Sequence, residues 1–172
     1  MRKLVGLFSV ALILASCQEQ QKIAFVNNGE VINAYTEKIE IEAKYEKMDA
    51  DFQKRTDSIG QAFQTEAQDF QTKAANMSQQ EQQEQYQVLG QKQQRLQQQI
   101  QQEQQQLGQK FNVEIDSAMS HVKQFVTDYG KENGYTFILG KNEAGSVMYG
   151  EEAKDISKEI IEALNADYKK AE

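Results

Sequence analysis

Apolar residues recur at helical spacing along one proline-free stretch, from Tyr35 to Lys131. In its first half the series runs Ile41, Tyr45, Met48, Phe52, Ile59, Phe63, Ala67, Phe70, Ala74, Met77, mostly in steps of three and four. A single seven-residue step, from Phe52 to Ile59, carries polar Arg55 and Thr56. This spacing places the apolar residues on one stripe of a helix. Ile41, Phe52, Phe63 and Ala74 lie eleven apart, and such a repeat, with about 3.67 residues per turn, predicts a nearly straight or slightly right-handed seam. The second half continues through Tyr86, Leu89, Leu96, Ile100, Leu107, Phe111, Ile115, Met119, Val122, Val126 and Tyr129. Between Leu89 and Leu107 its steps fit a heptad, with Gln93 and Glu103 at two seam positions.

The two halves meet at Ala75-Asn76-Met77-Ser78. Ser78 with Glu81 three residues on is a capping box, which starts a new helix, and Asn76 suits a helix end. The pattern predicts two antiparallel helices joined at 76–78, each reaching about 65–75 Å. One unbroken helix of about 95 residues is the rival at the same rise per residue. Gly60, Gly90 and Gly108 lie inside the arms. Each costs about 1 kcal/mol against alanine, so bends are expected there.

Shorter elements flank the long stretch. Ile23-Ala24-Phe25-Val26 reads as a strand buried on both faces, followed by a turn into a helix capped by Asn27 or Asn28. Gly130 and Gly134 end the second arm. Tyr135–Leu139 reads as a second strand, Gly140 to Gly145 as a turn, and Ser146–Tyr149 as a third, short strand. Asp155 is the expected N-cap of a closing helix with Ile156, Ile160, Ile161, Leu164 and Tyr168 on one face. The fold class is therefore α+β: a small β-sheet head carrying a long antiparallel coiled-coil hairpin. The expected division is 1–16 leader, 17–22 tether, 23–34 with 132–172 head, and 35–131 hairpin. Such a head, about 50 residues, is marginal for a lone core. Its sheet is expected to pair with other copies through Ile23, Phe25, Phe137, Leu139, Val147 and Tyr149, because an open sheet leaves edges free.

Charge narrows the partners. The 172 residues hold 19 Lys+Arg against 26 Asp+Glu. Nucleic acid is not the expected partner, because phosphate binding needs a basic stripe. Glutamine fills 17 of the 28 positions from Gln79 to Gln106. A helix surface is the expected reading of that run and a disordered tract the alternative; Tyr86, Leu89, Leu96 and Ile100 favour helix.

The N-terminus carries Arg2-Lys3 and then an apolar run, Leu4 to Leu14, too short to span a bilayer. It ends in Leu14-Ala15-Ser16-Cys17. That ending resembles the lipobox of bacterial lipoprotein signal peptides, which implies cleavage before Cys17 and lipidation of its sulfur. An ordinary signal peptide with a chance cysteine is the alternative. Cleavage would remove Arg2 and Lys3, leaving 17 basic against 26 acidic residues and a net charge of −9.

Catalytic chemistry is not expected. His121 is the single histidine and sits among Met119, Val122 and Phe125, as a packed or half-exposed helix residue would; a metal site would need partners at ligand spacing. Gly134 to Gly140-Lys141-Asn142 departs from a phosphate loop in its glycine spacing and lacks Ser or Thr after the lysine. No carboxylate pair is singled out for acid–base work. No catalytic residue, metal or cofactor is assigned.

The order of elements resembles the OmpH/Skp family of periplasmic chaperones. Lys22-Ile23-Ala24-Phe25-Val26-Asn27 with Val31, the hydrophilic hairpin, Tyr135 leading a strand, Val147-Met148-Tyr149, Asp155-Ile156-Ser157 and Leu164-Asn165 carry the resemblance. The family usually has threonine where Ser157 stands. The resemblance implies a homotrimer whose sheets form a β-barrel body, with three hairpins around a cavity that holds unfolded outer-membrane proteins without ATP. Unlike its basic, freely diffusing members, this chain is acidic and carries a lipoprotein-like leader. The expected function is a periplasmic holdase for unfolded outer-membrane or envelope proteins, lipid-anchored to a bacterial membrane. Gln18 after the cysteine favours the outer one, again by resemblance. Client-contact candidates are Met48, Phe52, Ile59, Phe63, Phe70, Met77, Tyr86 and Leu96. The other reading is a structural coiled-coil spacer or adaptor lipoprotein of the cell envelope.

Overall fold

The computed structural model describes residues 21–171. The elements in chain order are β1 (Ile23–Asn27), α1 (Asn28–Ala34), α2 (Thr36–Ala74), α3 (Gln79–Glu132), β2 (Phe137–Lys141), a 3-10 turn (Glu152–Lys154) and α4 (Ser157–Ala171). Helices α2 and α3 are the two arms, of 39 and 54 residues, so they extend about 59 and 81 Å at 1.5 Å per residue. The unbroken-helix rival is thereby excluded. Ser78 starts α3 with both bonds of the capping box in place: Glu81 N–H donates to Ser78 Oγ, and Ser78 N–H donates to Glu81 Oε2 at 2.8 Å. Gln82 adds a bond that the pattern did not reveal. Its side-chain amide donates to Ala74 O at the end of α2 and to Met77 O in the turn.

The seam between the arms is best buried near the head. Ile41, Tyr45, Phe52 and Phe70 of α2 are buried, as is Ala118 of α3. Tyr45 meets Phe111 edge to face, with centroids 5.3 Å apart. The polar lapse in the first-arm pattern faces a polar seam position of the second: Arg55 is ion-paired with Glu103. Lys44–Glu114 and Lys92–Glu66 also bridge the arms.

The head departs from expectation in four places. First, β1 and β2 form a two-stranded parallel sheet, in the register Ile23↔Phe137, Phe25↔Leu139. There is no third strand at Ser146–Tyr149. Asn142 closes a tight turn there, accepting from Gly145 N–H and Ser146 N–H, and the Ser146 hydroxyl donates to Gly140 O. That last bond ties the loop to the end of β2. A single-residue bridge between Phe25 and Asp155 lies beside β1 instead.

Second, β2 starts at Phe137 and runs through Gly140, two residues later than the pattern suggested. The end of α3 explains the shift. Gly134, at φ +68°, adopts the left-handed conformation that glycine tolerates. Tyr135 N–H donates to Gly130 O and Gly134 N–H to Lys131 O, the bonds of a Schellman cap. Tyr135 is thus committed to the helix end before the ladder begins.

Third, α4 starts at Ser157, and Asp155 lies one place before its cap. The Asp155 carboxylate accepts from Ser157 N–H at 2.9 Å and from the Ser157 hydroxyl. Ser157, 2% exposed, accepts in turn from Asn27 N–H at 2.7 Å and so ties α4 to the end of β1.

Fourth, the helical path breaks at Tyr35, whose ψ of 120° is extended. Asn165 of α4 supports the break from both sides. Its side-chain oxygen accepts from Thr36 N–H (2.8 Å), and its amide donates to Ala34 O (2.9 Å). These are two of the backbone groups that a broken helix orphans.

One core covers the head and the arm roots. It contains Ala24, Val26, Val31, Tyr35, Ile41, Tyr45, Ala118, Ile156, Ile160 and Leu164. Asn27 caps α1 as expected, accepting from Gly29 and Glu30 N–H.

Candidate functional site

Among the described residues, the outer side of the head sheet and the distal part of the hairpin are incompletely covered. Alternation along the strands sorts the head residues. Ala24, Val26 and Ile138 face the helices and join the core. Ile23, Phe25, Phe137 and Leu139 share the opposite face. Phe25 is covered by its own chain. Its ring lies so close to Gly150 that a Cβ there would sit 2.4 Å from the ring. Ile23, Phe137 and Leu139 remain exposed, Phe137 at 54%. Among the described residues no strand pairs with the outer edge of β2. An exposed edge with large apolar side chains is a surface for pairing. Val147 is half-buried, whereas Met148 and Tyr149 stand almost fully exposed in the following loop. Of the head residues singled out in the sequence, Ile23, Phe25, Phe137 and Leu139 are gathered on one face of the sheet, with Phe25 already covered, and Val147 and Tyr149 lie on a loop instead of a strand.

The arm residues sort by depth in the seam. Phe52 and Phe70 are buried between the helices. Ile59, Phe63, Met77 and Leu96 are half-buried, while Met48 and Tyr86 are exposed. Phe70 and Tyr86 pack edge to face at 4.8 Å, so Tyr86 offers its remaining surface next to a seam residue. Two helices alone cannot enclose an apolar stripe wider than a coiled-coil seam. Beyond Phe52, Phe70 is the one buried hydrophobic before Ala118. Around the stripe stand the glutamines of α3, nearly all exposed. The distal hairpin thus presents apolar side chains edged by neutral amides, with few charges on α3.

Nearer the head the electrostatics are more structured. Lys44 Nζ donates to both carboxylate oxygens of Glu114 (2.7 and 2.8 Å), and Tyr45 OH donates to Oε1 (2.9 Å). The Lys44 bond, with the Tyr45 bond second, holds the Glu114 carboxyl below its usual 4.5. A depressed folded pKa stabilises the fold above the ordinary value, and that stabilisation is lost as pH falls through the lowered one. Thermal melts between neutral pH and the acid limb should therefore show the wild type losing more stability below 4.5 than Glu114→Gln does. Parallel acid limbs would show that the cluster contributes nothing.

His121 is exposed on α3, with Nδ1 2.9 Å from Glu37 Oε2 of the other arm. Among the described residues no group of His, Cys, Asp and Glu is arranged to hold a metal. No described helix is long and apolar enough to cross a membrane. Cys17, the expected lipidation site, lies outside the described residues.

A family model described as outer membrane protein (OmpH-like) matches residues 22–164. Among solved structures the chain is similar to that of a candidate outer membrane chaperone (OmpH-like) from Caulobacter crescentus CB15. The TM-score is 0.72 at 14% identity, over 86% of this chain and 85% of that one. At that identity the likeness is one of fold. No curated protein sequence matches significantly.

Proposed function

The chain belongs to the OmpH-like outer membrane protein family, and from that premise we propose that it is an ATP-independent holdase which keeps unfolded outer-membrane or envelope proteins from aggregating in the periplasm. The observation that carries this reading is the incomplete burial of the distal hairpin. Ile59, Phe63, Met77 and Leu96 are half-buried, and Met48 and Tyr86 exposed, along two long arms. Many weak contacts along such arms add up through proximity without a fixed site. Methionine adapts to irregular apolar surfaces, which suits clients without a set shape.

Assembly completes the proposal. Three copies joined through Ile23, Phe137 and Leu139 would cover the exposed face, occupy the free edge of β2 and surround a space with their arms. The leader supports anchoring through Cys17. From Cys17 to Ile23 the chain spans at most about 20 Å, so an anchored head stays close to its membrane while the arms reach beyond it.

A rigid spacer is the competing reading, and the three lysine and arginine ion pairs across the arms favour it. All three are exposed, and exposed pairs contribute about 0.2–1 kcal/mol each. They align the arms without locking them. The mature protein with Cys17→Ser should keep a urea-denatured β-barrel protein soluble after dilution. Unchanged aggregation in the presence of excess protein, together with capture of one fixed partner, would replace the holdase with the spacer.

A further inference from the structure

We infer that a cleft at the root of the arms is a docking site for a lysine- or arginine-bearing segment of extended polypeptide, whose cationic group lodges among tyrosine rings and meets carboxylates at the rim. The cleft has a volume of about 550 Å³ and is walled by residues of three helices and the α1–α2 junction. That size suits a side chain with its flanking backbone.

The aromatic lining has an unusual electrostatic arrangement. Tyr35, Tyr129 and Tyr168 all line the cleft. Each donates its phenol proton to a carboxylate: Tyr35 to Glu37, Tyr129 to Glu159, and Tyr168 to Glu40. Burial, followed by the Glu159 bond, pushes the Tyr129 hydroxyl up to about 12, so it stays protonated and donating. A phenol that donates to an anion has a more electron-rich ring, and such a ring attracts a cation more strongly. The rings are also held in place. Tyr35 meets Tyr168 edge to face at 6.0 Å, and Phe125 lies 6.1 Å from Tyr129. The chain already seats one of its own cations on the adjoining stack: Tyr135 stacks on Tyr129 at 6.3 Å, and Lys22 Nζ lies 3.9 Å from the Tyr135 centroid.

Charge selects the occupant. Glu37, Asp128, Glu132 and Asp167 line the cleft, opposed by His121 alone. Glu37 is engaged by Tyr35 and His121, and Asp128 by Gln124 and Lys131. The carboxylates of Glu132 and Asp167 have no hydrogen bond or ion pair among the described residues. An acidic segment would be repelled, and a purely apolar one would leave both carboxylates unanswered. A cationic side chain on an apolar stem matches rings and rim together. This deepens the holdase reading and rests on it for the nature of the occupant: a basic residue of the client would be gripped at the arm root while the distal arms hold its apolar stretches.

His121, the single histidine, gives a spectroscopic reporter inside the cleft. The mature protein with Cys17→Ser is titrated with a glycine–serine nonapeptide carrying a central Leu-Arg-Leu. A second peptide has citrulline, of the same shape without the charge, in place of arginine. The arginine peptide should shift the His121 ring-proton resonances saturably, and the citrulline peptide should bind about ten-fold more weakly. Glu132→Gln with Asp167→Asn should abolish that preference, and both positions are exposed, so helical content and oligomeric mass should stay as in the wild type. Equal affinity for the two peptides, absence of a His121 shift, or a preference that survives the double variant would overturn the proposal. A changed oligomeric mass would do so as well, by assigning the cleft to a second copy of the chain. The aggregation assay is read separately: lost arginine preference with aggregation still suppressed removes the cleft alone, and unsuppressed aggregation with the preference intact removes the holdase alone.

Discussion

Phe137→Asp is expected to convert the proposed homotrimer into monomers with intact helical arms. Phe137 sits on the outer face of β2, 54% exposed, beside its register partner Ile23 and two residues from Leu139. In the single chain the side chain supports little, so aspartate there should leave the head folded. In an assembly the same position becomes core. Burial of one such side chain contributes roughly 1.5–3 kcal/mol, and the substitution replaces it with a carboxylate desolvated without a partner, repeated in every copy. Light scattering should give the mass of one chain, circular dichroism an unchanged helical signal, and the aggregation assay weaker client retention. The reciprocal variant removes Met48 to Gln106, leaving the core residues of the arm roots in place, and closes the gap with a short flexible linker. It should remain trimeric and lose client binding. A monomeric wild type would overturn this architecture, as would a trimer that survives Phe137→Asp but is lost with the arms.

Ile160→Ala is expected to produce the largest loss of stability from a single side chain. Ile160 is 0% exposed and lies in the core that joins α4 to β1, α1 and the arm roots. Truncating a fully buried isoleucine costs about 2–5 kcal/mol, part of it from the cavity left behind. For a chain of this size that lowers the melting temperature by about 5–15 °C. Ile161, its half-buried neighbour, should tolerate the same change with a much smaller shift. Melts belong at one fixed protein concentration, because assembly makes the midpoint concentration-dependent. Equal shifts for Ile160→Ala and Ile161→Ala would mean that α4 does not close the core as described.

The two substitutions probe regions that differ in how plainly the sequence announced them. Helix α4 was legible because its determinants are local. Ile156, Ile160 and Leu164 fall on one face at helical spacing, and all three are buried. The turn of the hairpin was legible for the same reason: Ser78 and Glu81 satisfy each other's backbone across three residues. β1 was recognisable as a short apolar run ending in asparagine. β2 was recognisable in the same way, two residues early, but the third strand expected at Ser146–Tyr149 is a loop, although the segment has the composition of a strand. Composition shows that a segment could pair, and here the turn bonds at Asn142 and Ser146 hold it as a loop instead.

The two-armed, small-headed plan, the place of the turn and the apolar residues available to the seam could all be read from local patterns. Those features follow from contacts within a turn or two of helix, where spacing along the chain fixes spacing in space. Tertiary structure alone decided the parallel pairing of β1 with β2, the break at Tyr35, the meeting of Arg55 with Glu103 and the arm-root cleft. The break shows why. Neither glycine nor proline marks it; an amide 129 residues further on, Asn165, satisfies the groups it exposes. Tyr35, Tyr129 and Tyr168 are likewise scattered along the sequence and share one cavity only because α4 folds back on the arms. A periodic pattern records which face of an element is buried, but not which distant element covers it.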